Sequence, residues 1–397
     1  MIALLKKNLL NMDVLRELLN RIKSFVFFVL SIIVSVSCSS QNRTDISLIK
    51  ILNINYEVIT KIPQSGLISD LSNYVQPYGA NYIIFYNEKN NVFSKLDFST
   101  MELTKICKIK DKSDYWNWYY DDKNCMFYVV YERAIIKYNV NGNITERKNL
   151  PEFKEGFFEK SNIFFRPLIN NEDIYFYFLP KVNGNYKNRD LYTSSIEGKI
   201  NFKTKKYVKL NQQYPFNYQQ HCYGLMYAPQ RIKIDNTHHG YLFSYNDSIF
   251  VYDITTGYKF QHYLGTHQKK IFKYLDFNEI SKLNETIFDE LMYSNPFYYL
   301  GGFAYYSKLY YRTILFPKNQ QNTYNQINEI NQTQVEQTCR KFEGNCILVL
   351  YDSNFRYVGE SNFMDAPGFI VDSKDGLLSL ISEKGNIIIR KIVWKEE

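Results

Sequence analysis

The sequence predicts an all-β protein, a β-propeller of about six blades with a short helical insertion, carried behind an N-terminal targeting segment. Three observations lead there. Aromatic side chains are abundant, 36 Tyr and 29 Phe in 397 residues, and they suit pleated, half-buried strands. Ala, the best helix former, is scarce. Short strand-like runs recur with turn residues between them, in groups of four at the roughly 40–50-residue step of a propeller blade.

The first element is the targeting segment. Arg16, Arg21 and Lys23 precede an apolar run from Phe25 to Val36. That run is about 12 residues, within the roughly 7–15 of a secretory core and short of the roughly 20 that span a bilayer. It ends at Ser37-Cys38, followed by Ser39, Ser40, Gln41 and Asn42. The pattern resembles a bacterial lipoprotein signal, in which Cys38 is acylated with palmitate-type chains and becomes the mature N-terminus. Val36 and Ser37 fit that pattern, whereas Ser35 stands where Leu is usual. Each buried methylene of an acyl chain contributes about 0.8 kcal/mol, so several chains hold a protein to a membrane. Ser39 in place of Asp, and the lack of an acidic cluster after Cys38, point to the outer membrane and its periplasmic face. Residues 1–37 are thus read as signal, with Met1 or Met12 as the start, 38–46 as linker and 47–397 as a single propeller domain.

The body after Cys38, about 360 residues, is long enough for one large core. Its charge is mild. The signal holds five basic and two acidic residues, which leaves about +5 of the +8 total. Lys and Arg are scattered, without the basic face or arm of a nucleic-acid binder, so that class is excluded. Five cysteines remain: Cys107, Cys125, Cys222, Cys339 and Cys346. No CxxC occurs, which removes a dithiol or paired zinc motif. Cys339 and Cys346 form a candidate disulfide in an oxidising compartment; two small buried side chains are the alternative.

Along the chain, Tyr82 to Tyr86, Val92 to Asp97 and Glu102 to Ile109 read as strands. Met126 to Tyr131, Ala134 to Tyr138 and Ile144 to Leu150 follow, with Asn141-Gly142 as a hairpin turn in which both residues can take φ > 0. Ile174 to Phe178, Leu191 to Ile196 and Tyr207 to Leu210 form a looser unit. Gly240 to Tyr245, Ser248 to Tyr252 and Tyr258 to Leu264 come next. Ile347 to Tyr351 pairs with Tyr357 to Glu360, and Leu377 to Ser382 with Asn386 to Trp394. A phrase recurs at the turns: Asp or Asn, one apolar residue, then small polar residues, as in Asp97-Phe98-Ser99-Thr100, Asn139-Val140-Asn141-Gly142 and Asp253-Ile254-Thr255-Thr256. Asp97 and Asn139 stand 42 residues apart. Ser47 to Ile62 is expected to complete the last blade and close the ring, which removes exposed sheet edges; two tandem sandwiches are the rival fold. Ile271 to Tyr293 reads as a helix, and Lys318 to Gln337, rich in Asn and Gln, as a loop.

Cys38, the aromatic strand units and phrases such as Ser244-Tyr245-Asn246-Asp247-Ser248-Ile249-Phe250-Val251-Tyr252-Asp253 resemble a family of propeller-like lipoproteins, a domain of unknown function, from Gram-negative gut-type bacteria. The resemblance covers nearly the whole mature chain. It implies a fold and a membrane anchor and carries no activity.

No phosphate loop, HExxH, GxSxG or EF-hand loop is present, so no cofactor is indicated. Three arginines stand out, Arg166, Arg231 and Arg312. Each lies in or beside an apolar run, where a charge is costly unless it is paired or faces a wet cavity. Converging in a propeller channel, they would make a cationic pocket for an anionic ligand, carboxylate or phosphate. Exposed at the surface, or paired with a local acid such as Asp173 or Asp235, they would serve no shared site. His238 and His239, adjacent on a strand, point to opposite faces and suit an exposed turn better than a shared metal. Tyr298-Tyr299 and Tyr305-Tyr306 are candidate aromatic platforms. The sequence therefore favours a lipid-anchored envelope protein that binds an anionic ligand or another envelope protein without catalysis. A periplasmic hydrolase or lyase acting on glycan or peptide is the alternative.

Overall fold

The computed structural model describes residues 51–396 except 65, 111–114, 132–133, 151–155, 159–166, 171, 181–187, 202, 224–228, 236, 267–273, 281–296, 317–345 and 366. The expectations for Cys38 and its signal, Arg166, Cys339, the Asn- and Gln-rich loop and most of the helix from Ile271 lie outside the described residues.

Within each unit the sequence changes character from strand to strand, and burial follows it. Tyr82–Asn87, Met126–Tyr131 and Cys346–Asp352 are near-continuous apolar runs and are buried almost throughout. They are covered on both faces by neighbouring sheets, so both sets of alternating side chains must be apolar. The outer strands Ile144–Asn149 and Lys259–Tyr263 alternate or stay exposed, and carry the charges.

The units follow one another along the chain. The first comprises Tyr74–Val75, Tyr82–Asn87, Val92–Asp97 and Glu102–Lys108, in that spatial order. The second comprises Tyr115–Asp121, Met126–Tyr131, Ala134–Asn139 and Ile144–Asn149. The third has five strands, Gly156–Phe158, Leu168–Asn170, Asp173–Pro180, Glu197–Asn201 and Tyr207–Lys209. The fourth is Gln230–Lys233, His238–Leu242, Ser248–Asp253 and Lys259–Tyr263. His221–Cys222 and Leu275–Asp276 form a separate two-stranded sheet, and the other described strands form one eight-stranded sheet. It consists of two antiparallel sets, Phe297–Ala304 to Tyr357–Ser361 and Phe369–Ser373 to Asn386–Glu396 with Ile51–Pro63 outermost. Two residues of parallel pairing, Ile51 to Glu360 and Leu52 to Ser361, join the sets. Counted as strand sets there are six units; counted as separate sheets of four or more strands there are fewer, because the last two are fused. The arrangement is an all-β propeller.

Closure occurs where the sequence expects it. Ile51–Pro63 pairs antiparallel with Asn386–Glu396, from Leu52 opposite Glu396 to Pro63 opposite Asn386, with one register shift between Val58 and Thr60. Packing between units is aromatic: Phe93 of the first stacks on Phe127 of the second at 4.1 Å between centroids. Trp118 donates its indole N–H to Asn73 across the same seam at 2.7 Å.

The recurring Asp/Asn phrase has a mechanical cause. Asp97 accepts from the Ser99 N–H, Asn139 from those of Asn141 and Asn143, Asp253 from those of Thr255 and Thr256, and Asp352 from those of Asn354 and Arg356. Each is a side chain folding the backbone back on itself after a strand. In the Asn141-Gly142 turn only Gly142 takes positive φ, +78°, and a Cβ there would stand 2.4 Å from the Lys108 carbonyl oxygen.

Two expectations are corrected. Leu191 to Ile196 is not a strand: Arg189–Thr193 is a short helix, started by Asn188, whose side chain accepts the Asp190 N–H at 2.9 Å. The histidine pair is not an exposed turn either. His238 and His239 open the strand His238–Leu242, and His239 is 2% exposed. Of the expected helix, the described part is the strand Leu275–Asp276 and the four-residue helix Phe277–Ile280.

Candidate functional site

The innermost strand of every unit contributes to one cavity of about 260 Å³. Tyr74 and Val75 come from the first unit, Tyr119 from the second, Leu168 from the third, Gln230 to Lys233 from the fourth, Gly301 to Phe303 from the fifth, and Phe369 and Ile370 from the sixth. This is the central channel, and it is the candidate site because residues from all six units meet there.

Its walls are held by bonds between units. Tyr311 donates to the Ile370 carbonyl at 2.9 Å. To do so its ring passes over Gly302, where a Cβ would lie 2.5 Å from the Tyr311 hydroxyl; glycine is required for that approach. Gln76 accepts the Asp372 N–H at 3.1 Å and donates to the Asp372 carbonyl. The Asp372 carboxylate accepts the Tyr306 N–H at 2.6 Å and the Ser307 hydroxyl at 3.2 Å. Burial pushes its carboxyl above the usual range, against those donors.

Arg231 and Arg312 take separate partners. Arg231 pairs with the Glu197 carboxylate and donates to the Tyr175 carbonyl at 3.1 Å. Tyr241 donates to the other Glu197 oxygen. The Arg231 and Glu197 side chains are 1% and 0% exposed. Burial pushes the Glu197 carboxyl up, while Arg231 and Tyr241 pull it back. His239 lies 4.0 Å from the same carboxylate and edge-on to Tyr175. Burial, with Arg231 and Lys233 nearby, holds His239 well below its ordinary value of 6.5. Arg312 donates instead to the carbonyls of Phe243 and Asn246 at 3.1–3.2 Å, and its guanidinium lies 3.3 Å over the Tyr298 ring. It pins the fourth unit to the fifth and does not line the cavity. Among the described residues, Asp173 pairs with Lys199 and Asp235 with His238, and neither pairs with Arg231 or Arg312.

Residues that sequence reasoning missed supply the chemistry. Lys233 lines the cavity two positions beyond Arg231. Among the described residues no carboxylate lies within ion-pair distance of it; its ammonium sits 5.5 Å from the Tyr78 ring centroid. Burial lowers its pKa from 10.5, and Asp121 and Asp235 partly oppose this. Tyr78 is 38% exposed and meets Tyr305 edge to face at 4.9 Å. Tyr305 also contacts Tyr306, and Lys308 covers its ring at 4.1 Å. Of the two expected platforms, Tyr305 lines the cavity, whereas Tyr298 is buried under Arg312. The alternation of strand side chains was the signal for Lys233, since residues 231 and 233 share a face. Tyr78 lies on a turn and had no such signal, whereas Tyr305, also on a turn, is one of the expected platform residues. Among the described residues no group of three or more His, Cys, Asp or Glu is placed to hold a metal ion. Among them, too, no helix is long and apolar enough to cross a membrane.

No family model and no curated protein matches the chain. Solved structures do. A member of the DUF4221 family from Bacteroides vulgatus superposes with a TM-score of 0.62 at 12% identity, over 87% of this chain and 99% of its own. A Bacteroides fragilis protein described as exported superposes with a TM-score of 0.51 at 10% identity, over 90% of this chain and 97% of its own. At these identities the likeness is one of fold, and it extends over nearly the whole of both neighbours.

Proposed function

We propose that this chain is an exported, lipid-anchored envelope protein of the outer membrane's periplasmic face, whose propeller binds a small molecule in its central cavity without catalysis. The observation that carries the reading is Lys233: a half-buried ammonium lining a cavity to which all six units contribute, with an aromatic ring beside it and, among the described residues, no carboxylate within ion-pair distance. A fold that only needed to close would gain nothing from desolvating that charge. The lining's carboxylate, Asp372, is engaged by the Tyr306 N–H and the Ser307 hydroxyl, which favours binding over acid–base chemistry of a hydrolase or lyase. The anchor rests on the apolar run before Cys38. The fold neighbours, one of them described as exported, are compatible with that address.

The test is native mass spectrometry of the protein purified from its own cell envelope. Wild type is expected to carry a small-molecule adduct. Leu168→Trp, which fills the cavity from the third unit's wall, is expected to lose it. Wild type without an adduct, or an adduct retained in the filled variant, sinks the reading. In the same cells Cys38→Ala should leave the membrane fraction.

A further inference from the structure

Resting on the reading of the cavity as a ligand site, we propose that it takes a small monocarboxylate built on a single ring, with the carboxylate on Lys233 and the ring against Tyr78. The charges of the lining decide the ligand's charge. Arg231 is neutralised by Glu197 within the fold. Asp372 is satisfied by a backbone N–H and a hydroxyl and leaves a negative charge in the same lining. Among the described residues Lys233 is the lining cation with no carboxylate within ion-pair distance; Asp121 and Asp235 act on it only from further off, and an aromatic ring face attracts an ammonium without neutralising it. One ammonium near one carboxylate suits a single negative charge. A phosphate monoester, at about −1.5 to −2, would bring more charge than Lys233 answers and would meet Asp372.

Volume decides the size. About 260 Å³ falls just below the roughly 300–1,000 Å³ of ordinary small-molecule pockets, enough for one ring and too little for an oligomer. The rim decides the shape. Tyr78 and Tyr305, edge to face at 4.9 Å, form a corner of ring surface with Tyr78 partly exposed. Such a surface packs against a flat aromatic ring or the C–H face of a sugar acid. The chemistry common to both is a ring bearing one carboxylate.

The probes are benzoate and glucuronate, each against its uncharged counterpart, benzamide and glucose. They are titrated into the detergent-solubilised mature protein and followed by calorimetry or ligand-observed NMR. At least one acid should bind about tenfold or more tightly than its neutral counterpart, the magnitude of one charge-assisted bond. Whichever acid it is identifies the aromatic or the sugar source. Lys233→Gln should erase the preference, and Lys233→Arg should keep most of it. If acid and neutral counterpart bind alike, the ligand class is wrong while the cavity remains a site. A preference that survives Lys233→Gln overturns the assignment of the cation. If none of the four binds wild type, the proposal falls, and the adduct measurement decides separately whether the cavity reading falls with it.

Discussion

Arg231 and Lys233 leave the same face of the same short strand, Gln230–Lys233, and both line the central cavity, yet they end in opposite situations. Arg231 meets the seam with the third unit, where Glu197 pairs with it, Tyr241 holds the carboxylate's other oxygen and the Tyr175 carbonyl takes a further N–H. Lys233, one pleat along, meets a tyrosine ring. Nothing within the strand distinguishes them. The neighbouring units do: the third brings the Glu197 carboxylate and the Tyr175 carbonyl to the seam, and the first brings Tyr78. Buried charges in this propeller are settled across seams, by residues far away in sequence. A cation that the seams leave unanswered is one the fold does not need.

The sharpest way to break this contrast is at Glu197. Removing one partner of a buried ion pair leaves the other charge stranded and typically costs about 3–5 kcal/mol. Glu197→Gln should therefore lower unfolding stability by about 3 kcal/mol or more, read as a shift of the urea midpoint at unchanged slope. Replacing both partners together, Glu197→Leu with Arg231→Met, should recover much of that loss, because two charges and their desolvation disappear at once. A loss below about 1 kcal/mol for Glu197→Gln, the size of an exposed pair, would mean that the seam is wet and the two cations are less different than drawn.

The same contrast explains what could be seen in the sequence. The units, their turns and the closing strand were legible because their causes are local or nearly so. Asp97, Asn139, Asp253 and Asp352 each fold the next few residues by their own side chains, and continuous or alternating apolar runs report directly on burial. The apolar setting of Arg231 and Arg312 said that each needs a partner or a wet cavity. Their partners could not be read, since Glu197 is 34 residues from Arg231, and Arg312 is held by carbonyls of another unit. A backbone carbonyl has no letter in the sequence. The helix at Arg189–Thr193 did leave a signal, Asn188 capping two residues ahead, but Leu191, Tyr192 and Ile196 suit a strand as well.

A smaller effect sharpens the dry side of the comparison. His239 faces Glu197 at 4.0 Å, with Arg231, Lys233, Asp235 and His238 around it. Its folded pKa lies well below 6.5, chiefly because it is buried. Below about pH 6.5 the unfolded chain then binds a proton that the folded chain does not, so stability falls as pH falls. The limit is about 1.4 kcal/mol per pH unit for one proton, or about 2 kcal/mol accumulated by pH 5. His239→Gln should remove that slope, while the carboxylates, common to both proteins, cancel in the difference. Parallel stability curves for wild type and variant between pH 7 and pH 5 would show that the histidine is hydrated in the native state.

The smallest expected effect on stability is the most telling, because it is the mirror of Glu197. Lys233 carries a charge that is desolvated by the cavity walls, partly opposed by Asp121 and Asp235, and among the described residues it has no carboxylate within ion-pair distance. Its aliphatic stem can pack against the Tyr78 ring whatever the head group. Lys233→Met keeps a stem of similar length and removes the charge. In the ligand-free protein it should leave stability within about 0.5 kcal/mol of wild type, or raise it slightly, as substitutions outside packing and ion-pair networks do. Adding a ligand that binds the folded state raises apparent stability by mass action, so wild type should gain from the bound acid and Lys233→Met should not. A loss of 2 kcal/mol or more without ligand would mean that Lys233 is part of the scaffold, as Arg231 is. The difference between the two cations would then be one of partner only, with nothing left in the channel reserved for a ligand.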